Sequence, residues 1–171
     1  MASRYASKPV YYRGVYFRAQ LEARWAAVFD HFNLRWDYES RQFTLSTGAY
    51  TPDFWLSEPD VYVEIKPRYE FADTDRYKEL VLQTRCPFLF VAGRPSVGKY
   101  LLRYFSASLV GDVGLLLQAQ FAEHKHKIWI AQDTCSVALA HDAIPGKSPD
   151  GLNINSASIV ECLTRANALF T

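Results

Sequence analysis

One stretch, from Thr51 to Arg68, constrains this chain more than any other. Two β-favouring runs flank Ser57-Glu58-Pro59-Asp60, which has turn composition, so the stretch predicts a β-hairpin. A turn centred between Glu58 and Pro59 sets Leu56 opposite Val61, Phe54 opposite Val63 and Asp53 opposite Glu64. Strand side chains alternate, so Pro52, Phe54, Leu56, Val61, Val63 and Ile65 share an apolar face. Thr51, Asp53, Trp55, Tyr62, Glu64 and Lys66 share the other. On an exposed hairpin those charges would simply be solvated. Directly opposed carboxylates, however, have Cβ atoms only ~5 Å apart. At an effective dielectric of about 20 their repulsion is roughly 3 kcal/mol. A divalent cation between the oxygens, with Lys66 one step along the same face, would compensate it.

The 171 residues suffice for one domain with a real core, expected to span 1–171. Hydrophobic content of 49% and charged content of 22% suit an ordinary globular protein. The net charge of +1 means that any nucleic-acid binding must come from a local patch rather than a global field. The N-terminal region supplies such a patch, with Arg4, Lys8, Arg13, Arg18 and Arg24 against the single acid Glu22. Cys86, Cys135 and Cys162 are odd in number and far apart, which argues against a disulfide framework or a cysteine-based zinc site. No apolar run approaches the ~20 residues of a membrane span, and the N-terminus lacks a signal-peptide core. The expected location is cytoplasmic, with no membrane partner.

Residues 1–16 form a basic, tyrosine-rich arm with a turn at Arg13-Gly14, a composition that suits nucleic acid as well as packing on its own domain. Phe17, Leu21, Trp25, Val28 and Phe32 recur at helical spacing, predicting a helix over 17–32 that Asn33 ends. Glu22 lies at the rim of that stripe, where Arg18 is placed to neutralise it as an i, i+4 partner. Alternation from Arg35 through Phe43 and Leu45 predicts a strand, followed by a turn at Ser46-Thr47-Gly48. Pro67 ends the second hairpin strand, since it cannot donate to the ladder. Asp73 caps a helix bearing Tyr77, Leu80 and Val81 on one face, and Pro87 stops it. The continuous apolar run Phe88–Ala92 predicts a strand buried on both sides. Beyond it, Tyr100–Phe105, Leu115–Phe121 and Lys127–Ala131 are short strand candidates. Glu123 to His126 is expected to join the last two, 141–155 to be a loop, and a final helix to carry Ile159, Leu163 and Ala166.

Glu22, Asp53, Glu64 and Lys66 form the strongest chemical set. Phosphodiester hydrolysis needs a cation on the phosphate and a group that handles the proton of the attacking water. Mg²⁺ takes hard oxygen ligands, here Asp53, Glu64 and the backbone carbonyl of Ile65, with Mn²⁺ a substitute. Lys66 would orient the water or stabilise developing charge, and Glu22 would join if its helix packs across the sheet. Other motifs carry less. Gly93-Arg94-Pro95-Ser96-Val97-Gly98-Lys99 has P-loop spacing, but Tyr100 replaces the Ser or Thr that would hold Mg²⁺. Arg94 and Lys99 fit better as a basic turn near DNA. His124 with His126 lacks a third ligand, and nothing in sequence brings Cys135 to His141.

Pro52-Asp53, followed by Glu64-Ile65-Lys66 after a helix bearing Glu22, resembles the PD-(D/E)XK nuclease superfamily over roughly residues 12–93. Tyr12 to Trp25 also resembles the openings of small phage and bacterial members. The resemblance implies an α/β fold with a restriction-endonuclease-like core: a helix, a three-stranded meander, a helix and a strand in a mixed central sheet. Residues 94–171 would be a C-terminal β/α extension. It also implies metal-dependent hydrolysis of DNA. Arg13, Arg18, Arg24 and Arg68, near the site in sequence or expected fold, are expected to contact phosphates and position DNA without reading bases. Some members bind nucleic acid without cutting, and others cut only beside a partner subunit. Cleaving both strands would call for a homodimer or two sequential events.

Overall fold

In the computed structural model, the described residues are 8–97, 100–107, 115–124, 127–132, 135–138, 146–147 and 157–170. The chain opens with a hairpin, β1 (Val10–Tyr12) and β2 (Val15–Phe17), pairing Tyr11 with Tyr16. Arg13 and Gly14 both adopt positive φ at its turn (47° and 87°), as a two-residue type I′ turn requires. Phe17 therefore ends a strand rather than starting a helix. Its ring packs on Trp36, Tyr38 and Phe54.

Helix α1 runs Gln20–His31 and buries Trp25, Val28 and Phe29; Leu21 and Phe32 are only partly covered. The helix begins three residues later than its stripe suggests because Phe17 satisfies an apolar contact from extended backbone. Glu22 falls at N3, where its Oε2 accepts from the Ala19 N–H at 3.2 Å, a local end-capping contact. Asn33 takes the left-handed conformation just past the end (φ 54°).

The strand expected over 35–45 is two elements. β3 (Trp36–Tyr38) joins the main sheet, whereas β4 (Phe43–Leu45) pairs with β5 (Gly48–Tyr50) in a separate ribbon. Glu39, at φ 46°, turns the chain between them. β6 (Phe54–Leu56) and β7 (Val61–Lys66) then form the central hairpin, paired Leu56–Val61, Trp55–Tyr62 and Phe54–Val63, the register read from the sequence. A single 3-10 turn (Tyr69–Phe71) leads to α2 (Thr74–Thr84), whose N-cap Asp73 accepts from the Arg76 N–H at 3.2 Å. β8 (Phe88–Ala92) returns parallel to β7, and β9 (Tyr100–Phe105) runs antiparallel to β8.

Five strands, in the order β3-β6-β7-β8-β9, thus form a mixed sheet in an α/β fold. β10 (Leu115–His124), β11 (Lys127–Gln132), β12 (Cys135–Ala138) and β13 (Gly146–Lys147) continue it antiparallel beyond β9. Glu123 and His124 belong to β10 rather than to a connecting loop, and β13 interrupts the expected loop over 141–155. His126, His141, Gly98, Lys99 and the cap expected at Asn155 or Ser156 lie outside the described residues. α3 (Ala157–Ala168) packs Ile159, Cys162, Leu163 and Ala166 against the α1 side.

Alternation along the strands builds two cores. Val61, Val63, Ile65, Leu89, Val91, Leu102 and Tyr104 face α1 and α3. Tyr62, Phe88, Phe90 and Phe105 face α2, joined by Leu45 and Tyr50 from the ribbon. The polar face of the hairpin is therefore covered rather than solvated. Asp53 and Glu64 are 6% and 4% exposed within it. No helix among the described residues is long and apolar enough to cross a membrane.

Candidate active site

β6 begins one residue after Asp53, and β7 reaches Glu64 and Lys66 at its C-terminal end, so the hairpin register itself brings the three side chains together. Two donors hold Glu64 Oε2: the Tyr50 hydroxyl at 2.8 Å and the Asp53 N–H at 3.4 Å. Lys66 Nζ pairs with Glu64 Oε1 and lies 3.9 Å from Asp53 Oδ2. Asp53 Oδ2 also accepts from the Ile65 N–H at 2.7 Å. None of these contacts engages Asp53 Oδ1.

Burial raises the proton affinity of Asp53 well above the ordinary Asp range, and the Glu64 charge raises it further against the opposing pull of Lys66. Burial disfavours the Lys66 ammonium, yet the Asp53 and Glu64 charges outweigh it and lift the Lys66 pKa above its usual value. Tyr50 is pushed far up by burial and by Glu64, so it stays a neutral donor.

The donor set fits a hard divalent cation. Tyr62 N–H reaches Pro87 O at 3.0 Å and Lys66 O accepts from Gly93 N–H at 2.9 Å, so even-numbered residues of β7 bond toward β8. Ile65 directs its N–H and C=O to the opposite edge, where Asp53 stands in place of a ladder partner. Two carboxylates and that carbonyl offer oxygen ligands of the kind Mg²⁺ takes. Among the described residues, no three His, Cys, Asp or Glu side chains converge as a closed metal cluster.

Glu22 approaches from the α1 N-terminus. Its Oε2 accepts from the Tyr38 hydroxyl at 2.6 Å. Burial raises its pKa, while the Tyr38 bond, the Ala19 bond and the Lys66 charge pull it back. Arg18 does not form the expected pair with Glu22. It lies 3.0 Å from Glu39 Oε2 instead, because the helix has not begun at Arg18 and the i, i+4 geometry is missing.

The four arginines divide. A cleft of about 480 Å³ includes Glu22, Lys66, Arg24 and Arg68 in its walls, so two of them stand beside the carboxylates. Arg18 is at the rim, through Glu39. Arg13 is not brought to the site: it lies 3.3 Å from Asp30, two helical turns from Glu22 and so ~12 Å along α1. There it borders a larger hollow of about 740 Å³, which contains none of the four candidate catalytic residues. Arg24 is not a surface charge but 3% exposed, with its Nε donating to the Leu169 carbonyl at 2.9 Å.

Sequence reasoning missed Tyr38 and Tyr50 as the hydroxyls that hold Glu22 and Glu64, and Glu39 as the acid facing Arg18. Each depends on a contact across the fold, and no local spacing signals it. The chain matches no family model, and no curated protein or solved structure matches it.

Proposed function

We propose that this chain is a divalent-metal-dependent DNA endonuclease with a PD-(D/E)XK site. The observation that carries the reading is the buried Asp53–Glu64 pair at the end of the hairpin, with Lys66 reaching both carboxylates. The order α1, β3, β6, β7, α2, β8, with β7 and β8 parallel, agrees with a restriction-endonuclease-like core. Asp53, Glu64 and the Ile65 carbonyl would hold Mg²⁺ or Mn²⁺. Such a cation, when bound, supplies Lewis-acid polarisation of a phosphoryl oxygen and lowers the pKa of a bound water. Lys66 stabilises negative charge developing on the phosphoryl oxygens. Glu22, with its raised proton affinity, accepts a proton as the water attacks. Tyr50 and Tyr38 fix the two glutamates in place.

The test incubates pure protein with linear, circular, single-stranded and branched DNA in Mg²⁺, Mn²⁺ or EDTA. Cleavage that needs metal and disappears in Asp53→Ala and Lys66→Ala supports the reading; cleavage surviving either substitution overturns it. One observation favours a second reading, a nucleic-acid-binding or assembly protein without turnover. Lys66 already pairs with Glu64, so the protein can partly neutralise the acids without a cation. DNA binding with no cleavage of any substrate, alone or beside a partner subunit, would favour it.

A further inference from the structure

The cleft beside the carboxylates is strongly cationic. Lys8, Arg24, Arg68 and Arg94 contribute to its walls, and Glu22 and Lys66 are shared with the carboxylate site. Its volume of about 480 Å³ lies within the usual size of a small-ligand pocket.

Arg24 distinguishes this cleft from a solvated basic surface. A buried guanidinium is costly unless an anion pairs with it. Arg24 is 3% exposed, yet its bond is to a neutral carbonyl, and no carboxylate among the described residues pairs with it. Burial lowers its pKa, and the charge of Arg94, a second cation rather than a counter-ion, lowers it further. α1 carries both Glu22 and Arg24, so the helix that brings the acid to the site also anchors the cation in the cleft. The last described turn of the chain, at Leu169, fixes the guanidinium through its Nε.

We propose that this cleft is a phosphate subsite, in which Arg24, Arg94, Arg68 and Lys8 hold the nucleic-acid backbone phosphate next to the one being cut. Convergent arginines match a phosphate because their planar forks bind its oxygens bidentately. Glu22 and Lys66 border both sites, so a phosphate in the cleft and the scissile phosphate belong to neighbouring positions of one strand. The assignment of the anion to nucleic acid rests on the nuclease reading; the anion site itself does not.

The experiment measures binding by calorimetry without metal. Its probes are inorganic phosphate, a deoxynucleoside monophosphate and a twelve-nucleotide single strand. Arg94→Gln and Arg24→Gln are expected to weaken oligonucleotide binding about tenfold and to reduce its salt slope by about one counter-ion each. Arg24→Lys keeps part of the affinity. Thermal melts monitor folding; if Arg24→Gln does not fold, Arg94→Gln decides. Wild-type affinity and salt slope in the folded variants would overturn the subsite. Tight inorganic phosphate binding with no gain for the oligonucleotide would overturn its assignment to a backbone phosphate. The two readings fail separately: Arg94-dependent oligonucleotide affinity in a protein that cuts no DNA overturns the nuclease reading alone, and Mg²⁺-dependent cutting with Arg94-independent affinity and salt slope overturns the subsite alone.

Discussion

At the scale of residues, Asp53 is held in an environment that opposes its charge. Its pKa is raised chiefly by burial and then by Glu64, so the folded state keeps a proton that the unfolded chain has already lost. Stability therefore falls as pH rises from the ordinary Asp range through the folded pKa. Asp53→Asn removes that loss while an amide oxygen can still accept from Ile65. It is expected to raise the Tm by about 2–4 °C near neutral pH, or about 1 kcal/mol for a chain of this size, and to flatten the pH dependence. Melts from pH 5 to 9 check this; a lower Tm with an unchanged profile would show that no such repulsion exists. For Glu22 burial sets the sign and raises its proton affinity, while the Tyr38 hydroxyl favours the charged form and pulls it back. Tyr38→Phe should raise the Glu22 pKa and move the acid limb of any cleavage profile to higher pH. Carbon-detected NMR of labelled glutamate reads this, and an unmoved Glu22 titration contradicts it.

At the scale of elements, the hairpin was legible because two independent constraints agree. Turn composition at Ser57–Asp60 and the alternation on either side admit one register, and a one-residue slip would expose the whole apolar face. The helix start was not legible. Phe17 fits the helical stripe by spacing, and only its contacts with Trp36, Tyr38 and Phe54 hold it in β2. Trp36 with Tyr38 and Phe43 with Leu45 each alternate as a strand would, but the five-residue step between the pairs switches faces, in keeping with the break at Glu39. The loop after β8 depends on α1: Trp25 Nε1 donates to the Gly93 carbonyl at 2.9 Å, while the Gly93 N–H holds the Lys66 carbonyl. Trp25→Phe leaves that carbonyl without its donor and reduces core volume, an expected cost of about 1–3 kcal/mol. Denaturant melts measure it. Cleavage should fall more than expression or folding does, since the end of β7 carries Lys66; equal activity would separate this contact from the site.

At the scale of the whole molecule, the mixed sheet has helices on one side and a helix with a ribbon on the other, which turns the polar edge of the hairpin into a buried site. That burial could not be read from residues 51–68 alone, because Tyr50 arrives from the ribbon and Glu22 from α1. The position of Arg24 depends on a still more distant event, the return of the chain through α3 to Leu169. The proximity of Asp53, Glu64 and Lys66 could be read from the hairpin register, whereas the groups that tune and flank them emerge only from the fold.

The most direct measurement is a single-turnover time course on one end-labelled DNA, with and without Mg²⁺, for wild type and Glu64→Gln. A metal ligand and a mere structural acid separate here, because Glu64→Gln keeps an oxygen for Tyr50 but loses the charge. A metal site on Asp53 and Glu64 predicts strand scission by the wild type only with Mg²⁺, and a loss of at least about a hundredfold in the variant, the scale of removing one group that stabilises transition-state charge. Mg²⁺-dependent cutting by Glu64→Gln at the wild-type rate would contradict it.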